Sequence, residues 1–174
     1  LYREDALVIW AARRLQQPVF WTADRGESFL SDEHARAVSG TSSLGLDVDG
    51  NFTALWVDAH IDTGAYLSRR SKGLLNNMGG VAGQYKTPNI ATQMSFFFTN
   101  TMQTSPYRGF GRPEATYVIE RLIDQAARET GRDPLALRQQ NLIPAEAMPY
   151  QTALTFNYDS GNFPKIVATA AKNA

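Results

Sequence analysis

Apolar Leu7, Trp10, Ala11 and Leu15 recur at spacings of three and four near the start of the chain, with Glu4 and Asp5 ahead of them and Arg13 and Arg14 behind. That period puts one apolar stripe on a helix over residues 3–16, the charge order suits the helix dipole, and Pro18 ends the element. The run Val19-Phe20-Trp21-Thr22 is short, aromatic and β-branched, which predicts a buried strand, and the polar residues 24–28 then read as a loop. Two longer strand-like runs, residues 34–48 and 52–61, flank Asp49-Gly50, a dipeptide suited to a tight hairpin turn. In the second run Leu55, Val57 and Ala59 alternate with Trp56, Asp58 and His60, so one set faces a core and the other faces away.

Past Gly64 the period weakens. Residues 68–77 read as a helix, Gly79-Gly80 as a break, and residues 92–101 as a strand carrying Phe96-Phe97-Phe98. Pro113 then stands where a first helical residue belongs, and Ala115, Val118, Ile119, Leu122, Ile123 and Ala126 repeat at helical spacing until Gly131. Asp133-Pro134 caps a second helix over 135–141, residues 144–162 are irregular, and a last helix begins at Phe163. The expectation is an α+β fold: a mixed sheet containing a β-hairpin, with helices packed on it and Trp10, Trp21 and the Phe96–Phe98 run in the core.

Charge narrows the partners. Seventeen Lys and Arg balance seventeen Asp and Glu, so no net field draws nucleic acid or an anionic membrane to the whole surface, and any anion site must be local. With no cysteine there is no disulfide, thiolate zinc site, ligated iron–sulfur cluster or cysteine nucleophile within these 174 residues, and the compartment is left undetermined. No apolar run approaches the roughly 20 residues of a membrane-spanning helix. His34 and His60 are the only histidines. Asp58-x-His60-x-Asp62 would put three donors on one strand face, but a solvated strand face accounts for them better, and Arg13, Arg14, Arg69 and Arg70 read as surface pairs. The chain opens on Leu1 directly in a helical pattern and closes inside another, which predicts that residues 1–174 are one segment of a larger domain, with exposed apolar surface and self-association when isolated.

The candidate chemistry lies in Ser105-Pro106-Tyr107-Arg108-Gly109-Phe110-Gly111-Arg112-Pro113-Glu114-Ala115, where two glycines and two interleaved arginines precede the long helix. Glycines let a backbone approach a ligand closely, amides at the helix start point outward, and the dipole adds partial positive charge, so the loop reads as an anion-binding device with Phe110 as a platform for a flat substrate. A bland reading competes: the glycines turn the chain, Arg108 pairs with a carboxylate, Arg112 is solvated and Phe110 plugs the core.

The residues 107–115 resemble the active-site loop of the molybdenum hydroxylases, the family of xanthine dehydrogenase, aldehyde oxidase and aerobic carbon monoxide dehydrogenase. Arg3-Glu4-Asp5, Asp62-Thr63-Gly64-Ala65-Tyr66, Tyr85-Lys86-Thr87-Pro88-Asn89, Asp133-Pro134 with Leu137-Arg138 and Asn141-Leu142, and Tyr158-Asp159-Ser160-Gly161 match the family in its order along nearly the whole chain. The resemblance implies a segment of the molybdopterin-binding domain. It also implies that the Arg108 backbone faces the molybdenum centre, that Gly109 and Gly111 keep the backbone close to the cofactor, and that Phe110 stacks on heteroaromatic substrates. No side chain here would ligate the metal.

The reaction so implied is hydroxylation with water-derived oxygen, electrons leaving through iron–sulfur clusters and FAD on other domains or subunits. The family's base glutamate lies in a Gly-x-Gly-Glu motif and its pterin loop in a Gly-Gly-x-Phe-Gly motif; this sequence has neither, since Gly26-Glu27 lacks the preceding glycine and Gly79-Gly80-Val81-Ala82-Gly83 lacks the phenylalanine. No catalytic residue is therefore assigned within the chain, which should be inactive alone. The loop lacks the cysteine of the carbon monoxide enzymes, and Asn76 stands near the position of the purine-gripping arginine of xanthine enzymes, with Arg69 and Arg70 as shifted alternatives. Aldehydes and N-heteroaromatics remain as substrates. The implied partners are the rest of the molybdenum subunit and the iron–sulfur and flavin subunits, in the cytoplasm or alternatively the periplasm. The rival function is a non-catalytic anion-binding or structural module that keeps the Gly-Arg loop.

Overall fold

The computed structural model describes residues 3–68 and 77–173, which form two units, Leu1–Asp32 and Glu33–Ala174. Arg69, Arg70, Asn76 and most of the helix expected over 68–77 lie outside the described residues.

In the first unit, α1 (Arg3–Leu15) follows the predicted stripe, but Leu7, Trp10 and Leu15 are all exposed and no described residue of the unit is buried. The strand expected at residues 19–22 does not form: the stretch is irregular, Phe20 is 89% exposed and Trp21 is 51% exposed. A β-rich composition makes a strand only where another strand supplies hydrogen-bond partners. The expected polar loop is instead a short helix, α2 (Arg25–Ser31), whose N-cap Asp24 accepts the Glu27 amide at 2.8 Å.

The second unit is built on a three-stranded sheet in the order β1 (Val38–Leu46), β2 (Phe52–Asp62), β3 (Asn89–Phe97). β1 and β2 form the predicted antiparallel hairpin, whereas β3 pairs with β2 in parallel. The sheet is therefore mixed and the architecture α+β. Leu55, Val57, Ala59 and Ile61 line the buried face of β2, and Trp56 and His60 stand on the open face, as the alternation requires, while Phe52, out of phase next to the register irregularity at Gly45 and Leu46, is buried against Tyr85.

The buried face meets Met78, Val81 and Tyr85 and the apolar stripe of α3 (Arg112–Thr130), in which Ala115, Ile119 and Ile123 are at most 1% exposed. Each such isoleucine contributes roughly 1.5–3 kcal/mol through burial. Gly131 ends α3, and Asp133, accepting the Ala136 amide, caps α4 (Pro134–Asn141). Glu120 joins the two helices to the core: it accepts from the Tyr85 hydroxyl and from Arg138, which also donates to Asp124. Burial first, and the Glu120 hydrogen bond second, push the Tyr85 hydroxyl above its ordinary range. The paired two-residue strands β4 (Tyr150–Gln151) and β5 (Asn157–Tyr158) and a last helix, α5 (Phe163–Asn173), complete the unit. Of the expected core aromatics, Phe96 packs against the core, whereas Phe97 is exposed on the open face of the sheet, edge-on to His60, and Phe98 is exposed beyond the end of β3. Among the described residues no helix is long and apolar enough to cross a membrane.

Candidate functional site

The loop at residues 105–111 begins where three segments converge. Asp62, at the end of β2, accepts the Gly64 amide at 2.7 Å and the hydroxyls of Thr99 and Thr101, and Thr104 donates its amide to the Thr63 carbonyl and its hydroxyl to the Asp62 carbonyl. The first cause holding the Asp62 carboxyl below its usual range is the Thr99 hydrogen bond; partial burial opposes it. Residues 33–37 run beside the same strand exit, with the His34 amide on the Gln103 carbonyl and the Ser105 amide on the His34 carbonyl. The motif Asp62-Thr63-Gly64-Ala65 thus acts here as a scaffold for the start of the loop.

Two successive turns shape the loop itself, the Phe110 amide donating to Tyr107 and the Arg112 amide to Gly109, both at under 3 Å. They require left-handed backbone at Gly109 (φ 89°) and Gly111 (φ 88°), a region that a side chain disfavours. Gly111 is the N-cap of α3. Having no side chain to cap with, it receives half of a capping box: its amide donates to Glu114 at 2.8 Å.

That bond narrows the expectation of open amides at the helix start. Gly111 is occupied by Glu114, Arg112 by Gly109, and Pro113 has no amide, which leaves the Glu114 amide without a protein acceptor among the described residues. Further unpaired donors lie earlier in the loop: among the described residues, neither the Arg108 nor the Gly109 amide has a protein acceptor, and both residues are exposed. Nor does the Arg108 guanidinium meet a carboxylate among the described residues. Phe110 is half-buried and packed against the core cluster, its carbonyl accepting the Asn77 side chain at 2.6 Å, and Arg112 is exposed, as a solvated arginine would be, with its guanidinium over the Phe156 ring.

Arg36 went unnoticed in the sequence. Its guanidinium donates to Glu114 at 3.3 Å and to the Arg108 carbonyl at 3.2 Å, and it lies 5.2 Å from the Tyr107 ring centre. Its backbone is left-handed (φ 67°), a conformation that costs a non-glycine residue roughly 1–3 kcal/mol. A mostly apolar cavity of about 600 Å³ between β1 and the start of α3 borders the Arg36–Glu114 pair, but none of residues 108–111 lines it. Asp58 and His60 stand 3.7 Å apart on the open sheet face, and no cluster of three or more potential metal donors occurs among the described residues.

The family model for the molybdopterin cofactor-binding domain matches residues 1–142. The chain is 33% identical over 172 residues to the 6-hydroxypseudooxynicotine dehydrogenase complex subunit gamma of Paenarthrobacter nicotinovorans, covering 95% of this chain and 22% of that one. It is 33% identical over 151 residues to the carbon monoxide dehydrogenase large chain of Afipia carboxidovorans, covering 84% of this chain and 19% of that one. The solved structure of quinoline 2-oxidoreductase from Pseudomonas putida 86 is similar over 99% of this chain and 22% of that one, with a TM-score of 0.89 and 30% identity. The chain therefore spans about a fifth of the length of these relatives. The match over residues 1–142 and the shared architecture lead to one conclusion: the chain belongs to the molybdopterin cofactor-binding domain family of the molybdenum hydroxylases.

Proposed function

We propose that this chain is the loop-bearing segment of a molybdenum hydroxylase that oxidises N-heteroaromatics or aldehydes with water-derived oxygen, and that the segment alone has no turnover. The observation that carries the reading is the pair of unbonded amides at the exposed residues Arg108 and Gly109, beside Phe110. A molybdopterin fits such a loop: two amide donors suit its oxygen-rich anionic groups, and glycine at 109 supplies the left-handed turn, packed on the Pro113 ring, that leaves those amides unpaired. When bound, the cofactor supplies the redox chemistry, as cofactors do where the protein contributes placement and electrostatics.

The chain's own residues then have separable tasks. The Arg108 and Gly109 amides donate hydrogen bonds to the cofactor, and Gly111 sets the turn that brings them there. Phe110 holds a flat substrate by ring stacking, while its contact with the core limits the ring's freedom. The names of relatives that act on nicotine and quinoline support nitrogen heteroaromatics as the substrate class. The base glutamate, the pterin loop, the iron–sulfur clusters and FAD are contributed from outside these residues, by the rest of the molybdenum subunit and by partner subunits, in the cytoplasm or alternatively the periplasm.

The test uses the full-length protein from a host that makes the cofactor, with metal analysis and turnover on a panel of aldehydes and N-heteroaromatics. Molybdenum at near one per subunit with turnover on one class supports the reading. Folded protein without molybdenum or oxidation leaves a scaffold that kept the loop for packing.

A further inference from the structure

We propose that Arg36 is a positioning residue that sets the peptide plane between Arg108 and Gly109, and so aims the Gly109 amide at the ligand. The proposal rests on the reading of the loop as cofactor-facing. Its core is geometric. In a trans peptide the carbonyl and the N–H point in opposite directions, and the only cis peptide among the described residues is Met148-Pro149. The Arg108 carbonyl and the Gly109 N–H belong to one peptide unit. Because Arg36 draws that carbonyl toward itself at 3.2 Å, the Gly109 N–H must face away from Arg36, and there it has no protein acceptor among the described residues.

The same guanidinium braces the loop at two further points. It pairs with Glu114, whose other oxygen holds the Gly111 amide, and it lies against the Tyr107 ring. One side chain thus fixes residues on both sides of Gly109. The Glu114 side chain is only 10% exposed, so solvent screens the contact little at that end. The left-handed backbone of Arg36 is held from both flanks, by the His34 carbonyl accepting from Ser105 and the Ala37 carbonyl accepting from Asp62. A strained residue that places a bidentate donor on the loop is where local strain serves a site.

The test compares full-length holoprotein with Arg36→Gly and Arg36→Lys. Glycine adopts the left-handed backbone without strain, so that variant keeps the fold while losing the brace. Lysine keeps the charge but cannot fork onto two acceptors. The readouts are hydrogen exchange of the peptide covering residues 107–112, molybdenum content, the Mo(V) electron paramagnetic resonance line shape, and kcat against KM. Both variants are expected to retain molybdenum, to exchange faster in this peptide, to show an altered line shape, and to lose roughly 10- to 100-fold in kcat with KM little changed.

Wild-type exchange in Arg36→Gly would overturn the proposal, and so would faster exchange with wild-type line shape and kcat, which would leave Arg36 a brace without influence on the centre. Full rescue by lysine would overturn the peptide-plane account in favour of charge alone. If the wild type itself holds no molybdenum, the cofactor reading fails separately, and exchange in the metal-free protein still decides whether Arg36 holds the loop.

Discussion

The side-chain amide of Asn77 donates to the carbonyl oxygen of Phe110 at 2.6 Å, so the backbone of the loop's aromatic residue is anchored by a residue 33 positions upstream. Asn77→Ala leaves that carbonyl without its donor. The variant is expected to lose about 1 kcal/mol of stability, read as a lower urea midpoint at unchanged slope, and to raise KM for a heteroaromatic substrate more than it lowers kcat.

Asn141 is the polar counterpart inside the core. It is 1% exposed, accepts the Phe52 amide at 2.8 Å, and donates to the carbonyls of Gly50 and Leu137. It therefore ties α4 to the hairpin turn. Asn141→Leu keeps the branched shape but leaves a buried amide and carbonyl unpaired, and denaturant titration should show a loss of roughly 2–4 kcal/mol.

Stability should fall with acid through Asp62. Its carboxyl lies below the usual range in the folded state, first through the Thr99 hydroxyl. The folded state therefore favours the ionised form: the contribution is whole above the unfolded value, about pH 4, and is lost as pH falls through the folded value. Melting temperatures followed from pH 7 to pH 2.5 should drop more steeply below about pH 4 for wild type than for Asp62→Asn, which starts lower and stays flatter.

Leu7, Trp10, Leu15, Phe20, Phe29 and Leu30 are all more than half exposed. Apolar side chains in such number on one short segment drive association in water. Light scattering on the isolated chain should give a mass above that of one copy, and Trp10→Gln with Phe20→Gln should reduce it.

The residues that spoke clearly in the sequence are those whose local chemistry decides the outcome. Asp49-Gly50 could only turn between two alternating runs, and Pro113, Gly131 and Asp133 punctuate helices by their own backbone requirements. What stayed hidden depends on distant partners. Residues 19–22 have strand composition but no paired neighbour, and the exposure of Trp10 and Trp21 was invisible to a period that marks an apolar stripe without saying what covers it. Parallel pairing of β2 with β3 likewise leaves no local mark. In the site, the glycines at 109 and 111 were legible, whereas the occupation of the helix start by Glu114 was written only as a glutamate three residues past a glycine. Arg36, in a plain Ala-Arg-Ala setting 72 residues from the carbonyl it holds, carried no signal at all.

The most direct test of the central claim is the turnover of full-length Phe110→Ala, with molybdenum content measured on the same sample. If Phe110 stacks on a flat substrate beside the cofactor, the variant keeps its molybdenum and loses roughly two- to tenfold in kcat/KM on an N-heteroaromatic, about the effect of one stacking contact, and much less on a small aliphatic aldehyde. An equal loss on both substrates, or none on either, would contradict it.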